Sequence, residues 1–231
     1  MRVLAVFFVL FTGACAVELA EPPANTSPSN AQLPTAQQAA ENFVAVVQRV
    51  EPVAEDSCRK HARNLNCDFQ ILVDRRITLP PNAFQTVDEL RRPVIIFTIA
   101  LIAQARNQDE LAFILGHEAA HHIREHLPKQ NDSAFRGALA AGLIARLGGA
   151  SEAVVERATQ VGAQIGARAY SKDFELEADA LGAVIAKRAG YDAVLGARYF
   201  TRIADPGNQF LGTHPPNAQR IATVERVVSG G

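Results

Sequence analysis

The spacing of apolar residues divides the chain into a short β-containing region and a longer helical region. Helical spacing of Phe43, Val46 and Val50 predicts a helix from Gln37 to about Arg63, with Pro52 as a kink or a start. Shorter apolar stretches predict three strands, with a turn at Pro80-Pro81-Asn82 between the first two. These strands cover residues 68–75, 83–87 and 93–97.

Helical periodicity dominates from Thr98 onward. It predicts seven helices, over 98–106, 108–126, 133–148, 151–169, 172–189, 193–204 and 216–228. The run Gly137–Ala150 is strongly apolar, but it contains Arg146 and is shorter than the roughly 20 residues that a membrane span needs. We therefore expect a buried or amphipathic hairpin there. The order of elements predicts a single α+β domain, mostly α-helical, over residues 37–231.

The first residues have the pattern of an export signal. Met1-Arg2 gives a positive start, Val3–Phe11 is an unbroken apolar run, and Ala14-Cys15-Ala16 places small residues around a cleavage site after Ala16. We therefore expect a signal peptide over 1–16 and an exported, periplasmic protein. Lipid attachment at Cys15 and full secretion stay as alternatives, whereas a membrane anchor is disfavoured because the apolar run is too short.

The segment after the signal is rich in proline and serine, which predicts a linker over residues 17–36. Loss of Cys15 with the signal would leave Cys58 and Cys67. Two cysteines in an exported chain predict one disulfide, because free thiols are unusual in an oxidising compartment. A zinc pair is disfavoured, since metal-binding cysteines usually stand two to four residues apart.

Composition narrows the functional classes. The chain has 23 Lys and Arg against 24 Asp and Glu, a formal net charge of -1, so it has no basic excess with which to neutralise phosphates. This argues against nucleic acid as a partner. Hydrophobic residues make up 48% of the sequence, which argues against a disordered chain.

Candidate chemistry is concentrated in the predicted helix 108–126. His117-Glu118-Ala119-Ala120-His121 fits H-E-x-x-H, and four residues of helix place the two histidines one turn apart on one face. Two such imidazoles can bind one Zn²⁺, and the adjacent Glu118 can act as a general base. Asn107 is the expected N-cap, with Glu110 completing a capping box.

His122 and His126 are also four residues apart, but Ile123 stands where a base would be needed. We interpret both as solvated histidines or as outer neighbours of the site. Four histidines in ten residues would also suit a metal-buffering protein, so that alternative stays open.

A zinc site needs a third protein ligand, and the best candidate lies in Ser171–Asp179. Glu175 and Asp179 share a helical face, so Glu175 could bind the metal while Asp179 orients a ligand histidine. Ser171 is the expected N-cap of this helix and Glu177 is expected to point away from the site. Spacing alone favours an ordinary acidic surface turn.

From about Cys67 to Ile221 the chain resembles the HtpX-like and CAAX-prenyl-endopeptidase-type zinc peptidases of peptidase family M48, most closely their exported, soluble branch. The resemblance is carried by four motifs in order: H-E-x-x-H at 117–121, E-x-x-x-D at 175–179, Asn82-Ala83-Phe84, and Thr213-His214-Pro215 with Arg220-Ile221. Lys172 stands where the family usually has Arg.

The resemblance implies a zincin-like (gluzincin) fold with a small β-sheet and an active-site helix. It implies one Zn²⁺ per chain held by His117, His121 and Glu175, with Asp179 behind the ligands. It further implies that Glu118 activates a zinc-bound water for peptide-bond hydrolysis. His214 is a candidate that reaches this site, to stabilise the oxyanion or to occupy the open metal position.

Tyr170 and Arg220 are weaker candidates for oxyanion support. We expect the substrate to lie extended against an edge strand near residues 83–97. The resemblance suggests quality control of unfolded or misassembled envelope proteins, and peripheral membrane association stays open. A non-hydrolysing periplasmic chaperone or assembly factor that keeps the zinc fold is the main alternative function.

Overall fold

A computed structural model describes residues 33–62, 64–207, 209 and 212–230. The predicted signal peptide and all but the last residues of the predicted linker lie outside the described residues. Among the described residues there are eight α-helices, one short 3₁₀ helix and three strands. This is the mostly helical α+β composition that the apolar spacing predicts.

Helix α1 (Ala36–His61) begins at a capping box, in which Thr35 and Gln38 satisfy each other's backbone N–H groups. Its buried stripe contains Phe43, Val46 and Val50. Pro52 lies inside the helix and is not its start. Buried residues on both sides of the proline, including Ala54, hold the helix together despite the hydrogen bond that proline cannot donate.

The end of α1 is tied to the segment just before the first strand by a disulfide between Cys58 and Cys67, whose Cα atoms are 5.7 Å apart. Both cysteines are buried. The predicted pairing is therefore confirmed.

The three strands are β1 (Gln70–Asp74), β2 (Ala83–Val87) and β3 (Pro93–Thr98), in the spatial order β1-β3-β2. The central strand β3 pairs parallel with β1 and antiparallel with β2. Burial on both faces explains why β3 is an uninterrupted apolar run. Because β3 lies between the other two strands, β2 is at an edge of the sheet.

The remaining helices follow after β3. They are α2 (Ile99–Gln104), α3 (Gln108–Ile123), α4 (His126–Leu147), α5 (Glu152–Arg168), α6 (Ser171–Arg188), α7 (Ala193–Ala197), a 3₁₀ helix (Arg198–Thr201) and α8 (Asn217–Val228). Nearly every side chain of α3 is buried, and this helix packs against α1, α6 and α7. It therefore forms the centre of the domain.

The largest departure from prediction is the break between α3 and α4. The predicted helix 108–126 ends at Ile123, Glu125 adopts a left-handed conformation with φ of 55°, and α4 begins at His126, well before the predicted residue 133. The predicted helix 193–204 is also shorter, because α7 gives way to the 3₁₀ turn at Arg198.

Helices α4 and α5 form an antiparallel hairpin, as predicted, but its large apolar side chains are not the buried ones. Small residues form the contact between the helices, where Gly137 meets Gly162 and Ser133 meets Gly166. Leu139, Leu143, Ile144 and Leu147 are exposed instead. No helix in the described part of the chain is long and apolar enough to cross a membrane.

Candidate metal centre

The N-terminus of α3 is held by two side chains. Asn107 accepts a hydrogen bond from the Glu110 backbone N–H at 2.9 Å and is the predicted N-cap. Glu110 does not complete the predicted capping box, because its carboxylate accepts from the Arg106 backbone and forms two 2.7 Å hydrogen bonds with Arg202. Because Glu110 is buried, its charge is better stabilised by the two hydrogen bonds from Arg202 than by a backbone N–H at the helix start.

One turn of α3 brings the two histidines of the H-E-x-x-H motif together. The Nε2 atoms of His117 and His121 are 3.0 Å apart. Helix α6 adds Glu175, whose carboxylate oxygens lie 3.6 Å from Nε2 of His117 and 3.4 Å from Nε2 of His121. The three ligand atoms lie within 4.8 Å of one another.

Two imidazoles and one carboxylate, largely buried, are a donor set that zinc and related divalent metals prefer. Among the described residues, His117, His121 and Glu175 form the group of three that could hold a metal ion. The residues present therefore fit the metal that the motif implies.

Glycine explains how α6 comes close enough to α3 for this convergence. At Gly182, a Cβ atom would lie 2.7 Å from the backbone nitrogen of His117, and at Gly116 it would lie 2.7 Å from the carbonyl oxygen of Gly182. Only glycine permits this backbone contact. In the sequence, the one signal for this pair is the glycine next to the first histidine, and it was not among the predicted site residues.

Asp179 lies one turn beyond Glu175 on α6. Its carboxylate oxygen is 2.9 Å from Nδ1 of His117, and the residue is fully buried. This is the position predicted for a group that orients the histidine.

Arg220, on α8, contacts both carboxylates. Its guanidinium donates two hydrogen bonds to Asp179, at 2.7 and 2.8 Å, and lies 3.3 Å from Glu175. The guanidinium also lies 3.9 Å above the ring of Phe200. These contacts place Arg220 to hold the two carboxylates. Its support of an oxyanion, suggested from the sequence, stays a prediction.

Electrostatics keep both carboxylates ionised. Burial opposes ionisation of Glu175, but the hydrogen bond with His121 and the neighbouring His117 and Arg220 hold the pKa of Glu175 well below its usual value. Burial likewise opposes ionisation of Asp179, while hydrogen bonds from His117 and Arg220 lower its pKa. Both side chains are therefore negatively charged, as a cation site requires.

His126 lies behind the second histidine, so of its two interpretations, a solvated residue or an outer neighbour of the site, the structure supports the second. Its Nδ1 is 2.9 Å from Nδ1 of His121, and its Nε2 is 3.3 Å from the carboxylate of Glu177. The ring stacks on Phe174 at 4.5 Å. Glu177 was expected to point away, but the early start of α4 brings His126 to it.

His122 is likewise buried and not solvated, because its Nε2 lies 2.8 Å from the carbonyl oxygen of Asn66. Burial lowers the pKa of this imidazole. His122 and His126 thus have partners of their own, which argues against a four-histidine metal buffer.

The histidines open into a cavity of about 710 Å³. Glu118 lines this cavity together with both histidines, and residues 83–85 of edge strand β2 form part of its wall. His214 also lines it, with Nε2 3.8 Å from Glu175 and Nδ1 2.9 Å from the hydroxyl of Thr213.

Two smaller expectations for this region are wrong. Tyr170 is exposed and is not among the residues that line the cavity. Ser171 does not cap α6, because its hydroxyl donates to the carbonyl of Ala167 and Tyr170 occupies the capping position. Lys172, which replaces the usual arginine, donates to the carbonyl of Gln209 at 2.7 Å.

Comparison with known proteins gives a consistent result. Residues 42–228 match the family model described as peptidase family M48. A Vibrio cholerae protein named provisionally as a beta-barrel assembly-enhancing protease is 31% identical over 134 residues, 52% of this chain and 28% of that protein. The beta-barrel assembly-enhancing proteases of Yersinia pestis and Escherichia coli K12 are 26% and 24% identical over 141 residues, 55% of this chain and 29% of theirs. The matches thus span less than a third of the length of these relatives.

Proposed function

The chain belongs to peptidase family M48, and from this premise we propose that it is a zinc-dependent metalloendopeptidase of the bacterial cell envelope. The observation that carries the proposal is the convergence of His117, His121 and Glu175 beside Glu118 in one cavity. Three protein ligands leave a coordination position for chemistry, which distinguishes catalytic from structural zinc sites.

The metal would be held by His117 and His121 of α3 and by Glu175 of α6. When bound, zinc would act as a Lewis acid that polarises the substrate carbonyl and lowers the pKa of water to about 7. Asp179 accepts a hydrogen bond from Nδ1–H of His117 and so leaves Nε2 unprotonated and free to bind the metal. Arg220 fixes Asp179 and Glu175 relative to each other.

Glu118 is proposed as the general base. It is the next residue after the first ligand, so its carboxylate lies beside the metal position and faces the cavity. There it can take a proton from the attacking water and transfer it to the leaving amine. This role needs a carboxylate and is lost in an amide of the same shape.

The substrate is proposed to bind as an extended peptide along β2. This strand is at the edge of the sheet and residues 83–85 line the cavity, so a peptide could add to the sheet by backbone hydrogen bonds. Backbone pairing recognises unfolded segments with little dependence on sequence. Unfolded or misassembled envelope proteins are therefore the proposed substrates.

Export to the periplasm is proposed on two grounds. The disulfide between Cys58 and Cys67 is a feature of oxidising compartments, and residues 1–16 have the pattern of a signal peptide. The names of the relatives refer to assembly of β-barrels. A role in envelope protein quality control agrees with export to the periplasm and with the names of these relatives.

His214 is proposed to act at the open side of the site, either by donating to the developing oxyanion or by occupying the free metal position in a resting enzyme. Replacement of His214 by Ala separates these roles. Proteolysis falls by roughly 100-fold if His214 stabilises the oxyanion, and it rises if His214 blocks the metal. Unchanged proteolysis contradicts both.

The decisive test is cleavage of casein or another unfolded protein, with and without a chelator. The wild type should cleave and the chelator should abolish cleavage, with one zinc per chain by elemental analysis. Glu118→Gln should retain zinc and lose hydrolysis, whereas Glu225→Gln, an exposed change on α8, should behave as wild type. A zinc-loaded wild type that prevents aggregation but cleaves nothing would support the chaperone alternative and refute the enzyme.

A further inference from the structure

The end of the α4–α5 hairpin presents apolar side chains that nothing in the described chain covers. We call Leu139, Leu143, Ile144, Leu147 and Val154 the apolar tip; Leu147 is 80% exposed and Ile144 is 71% exposed. Val161 and Ile165 continue this surface along α5. A contiguous surface of this kind marks an interaction site.

The contact between α4 and α5 explains why these side chains point outward. Gly137 and Gly162 approach so closely that a Cβ on either would lie 2.2 Å from the other's carbonyl oxygen. Gly142 is similarly close to Thr159. Because small residues form these close contacts, the large apolar ones of the apolar tip are left exposed on both helices.

The charges of the hairpin suit an anionic lipid surface. Between Gly137 and Ser151 the only charged residue is Arg146, which forms an ion pair with Glu152 at 3.0 Å. Residues 126–170 carry five Lys and Arg against three Asp and Glu, whereas the whole chain carries a net charge of -1. Lys129 and Arg168 lie toward the base, where their side chains could reach lipid headgroups, whereas Arg136 there pairs with Asp132 at 2.9 Å.

The dimensions of the hairpin suit one leaflet. Residues 137–147 of α4 form about 16 Å of helix, roughly half of the 30 Å hydrocarbon core. At the turn, the backbone N–H groups of Gly148, Gly149 and Ala150 donate to carbonyls of the last turn of α4. The tip can therefore leave water without exposing these donors.

From these observations we propose that the apolar tip inserts into one leaflet of an anionic bilayer and holds the domain at a membrane surface. The proposal goes beyond proteolysis and does not depend on it. A flat partner protein or a second copy would cover one side of the hairpin, whereas the apolar residues lie on the outer faces of both helices.

Fluorescence tests the insertion directly, because the chain contains no tryptophan. Leu147→Trp places one indole in the tip, and Leu90→Trp places one at an exposed turn of the sheet as the matched control. With phosphatidylethanolamine–phosphatidylglycerol vesicles, emission of Leu147→Trp should shift to the blue and be quenched by brominated acyl chains. Emission of Leu90→Trp should not change.

A second pair of variants tests the contribution of the tip to binding. In the full chain, Leu143→Gln with Leu147→Gln should lower the vesicle partition coefficient by about tenfold for each leucine, and Leu90→Gln should not. All variants keep the same N-terminus, so binding through residues 1–16 or a lipid on Cys15 is common to them. Glu118→Gln should bind vesicles as the wild type does, so failure of hydrolysis leaves this result unaffected.

Three results would overturn the proposal. One is equal emission of Leu147→Trp with and without vesicles. Another is a blue shift that depends on protein concentration and not on lipid, which would indicate a second copy as the partner. The third is unchanged vesicle binding by the double leucine variant.

Discussion

At the scale of single residues, Arg220 neutralises two buried carboxylates, and its removal should be costly. Asp179 is fully buried and would lose both hydrogen bonds that the guanidinium donates to it. We predict that Arg220→Ala lowers the free energy of unfolding by about 3–5 kcal/mol, the cost of leaving one member of a buried ion pair alone. Urea denaturation measures this, with Arg226→Ala, an exposed change on the same helix, as the control. Equal losses in the two variants would contradict the prediction.

His126 offers a second residue-scale prediction. Its Nδ1 meets Nδ1 of His121, so it fixes the ring whose Nε2 faces the metal position. His126→Phe keeps the stacking on Phe174 but removes this contact, and we predict a 10- to 100-fold loss of zinc affinity, typical of partners of metal ligands.

Competition with a fluorescent chelator measures the affinity of this variant. His61→Phe, at the exposed end of α1, is the control. The assignment of His126 would be wrong if both variants bind zinc equally well.

These residues show where reasoning from sequence stops at this scale. His117 and His121 are adjacent because one helix contains both, so their spacing predicts their geometry. Glu175 comes from another helix, and only the resemblance singled it out from an acidic turn. For His126 the sequence left both solvation and a place behind the site open, because helical spacing does not continue beyond Glu125, where the backbone turns left-handed.

At the scale of elements, prediction succeeded where periodicity was long and regular. Strand β2 has the predicted bounds, and α1, α5, α6 and α8 lie within two residues of theirs. The start of α4 was missed because Pro128 and a polar stretch after it resemble a loop, although proline is well tolerated in the first turn of a helix. The exposure of the hairpin's large apolar side chains could not be predicted, because apolar residues in a helical pattern are normally buried.

The crossing of α3 and α6 is the element-scale feature that the site depends on most. In Gly182→Ala, the added methyl would meet the backbone of His117 at 2.7 Å, so the helices must separate. We predict a loss of about 1–3 kcal/mol in stability, as for other overpacked contacts, and weaker zinc binding because Glu175 moves from the histidines.

Thermal unfolding and zinc titration together test this effect. Gly148→Ala is the matched control, because its nearest contact is 3.4 Å and its backbone conformation suits alanine. Unaltered zinc affinity in Gly182→Ala would show that the close crossing is unimportant to the site.

At the scale of the whole molecule, stability should be unevenly distributed. The buried core gathers around α3 and takes in α1, β3, α6, α7 and α8. In contrast, the buried residues of α4 and α5 are only His126, Val155 and Gly162. The hairpin therefore contributes little to the core, which is compatible with a separate role at a surface.

The metal should link the helices of that core. Its ligands come from α3 and α6, and α8 supports them through Arg220, so binding requires the native packing of three helices. A ligand that binds only the folded state stabilises it by about 2.7 kcal/mol at 100 times its dissociation constant. For a domain of this size, that corresponds to a rise of roughly 5–10 °C in melting temperature.

We therefore predict that a chelator lowers the melting temperature by this amount and that added zinc restores it. Glu175→Gln keeps the shape of the side chain but removes the anionic ligand, so its melting temperature should respond little to either treatment. Scanning calorimetry of wild type and variant provides the measurement. A wild type that melts at the same temperature with and without zinc would mean that the three side chains converge without holding a metal.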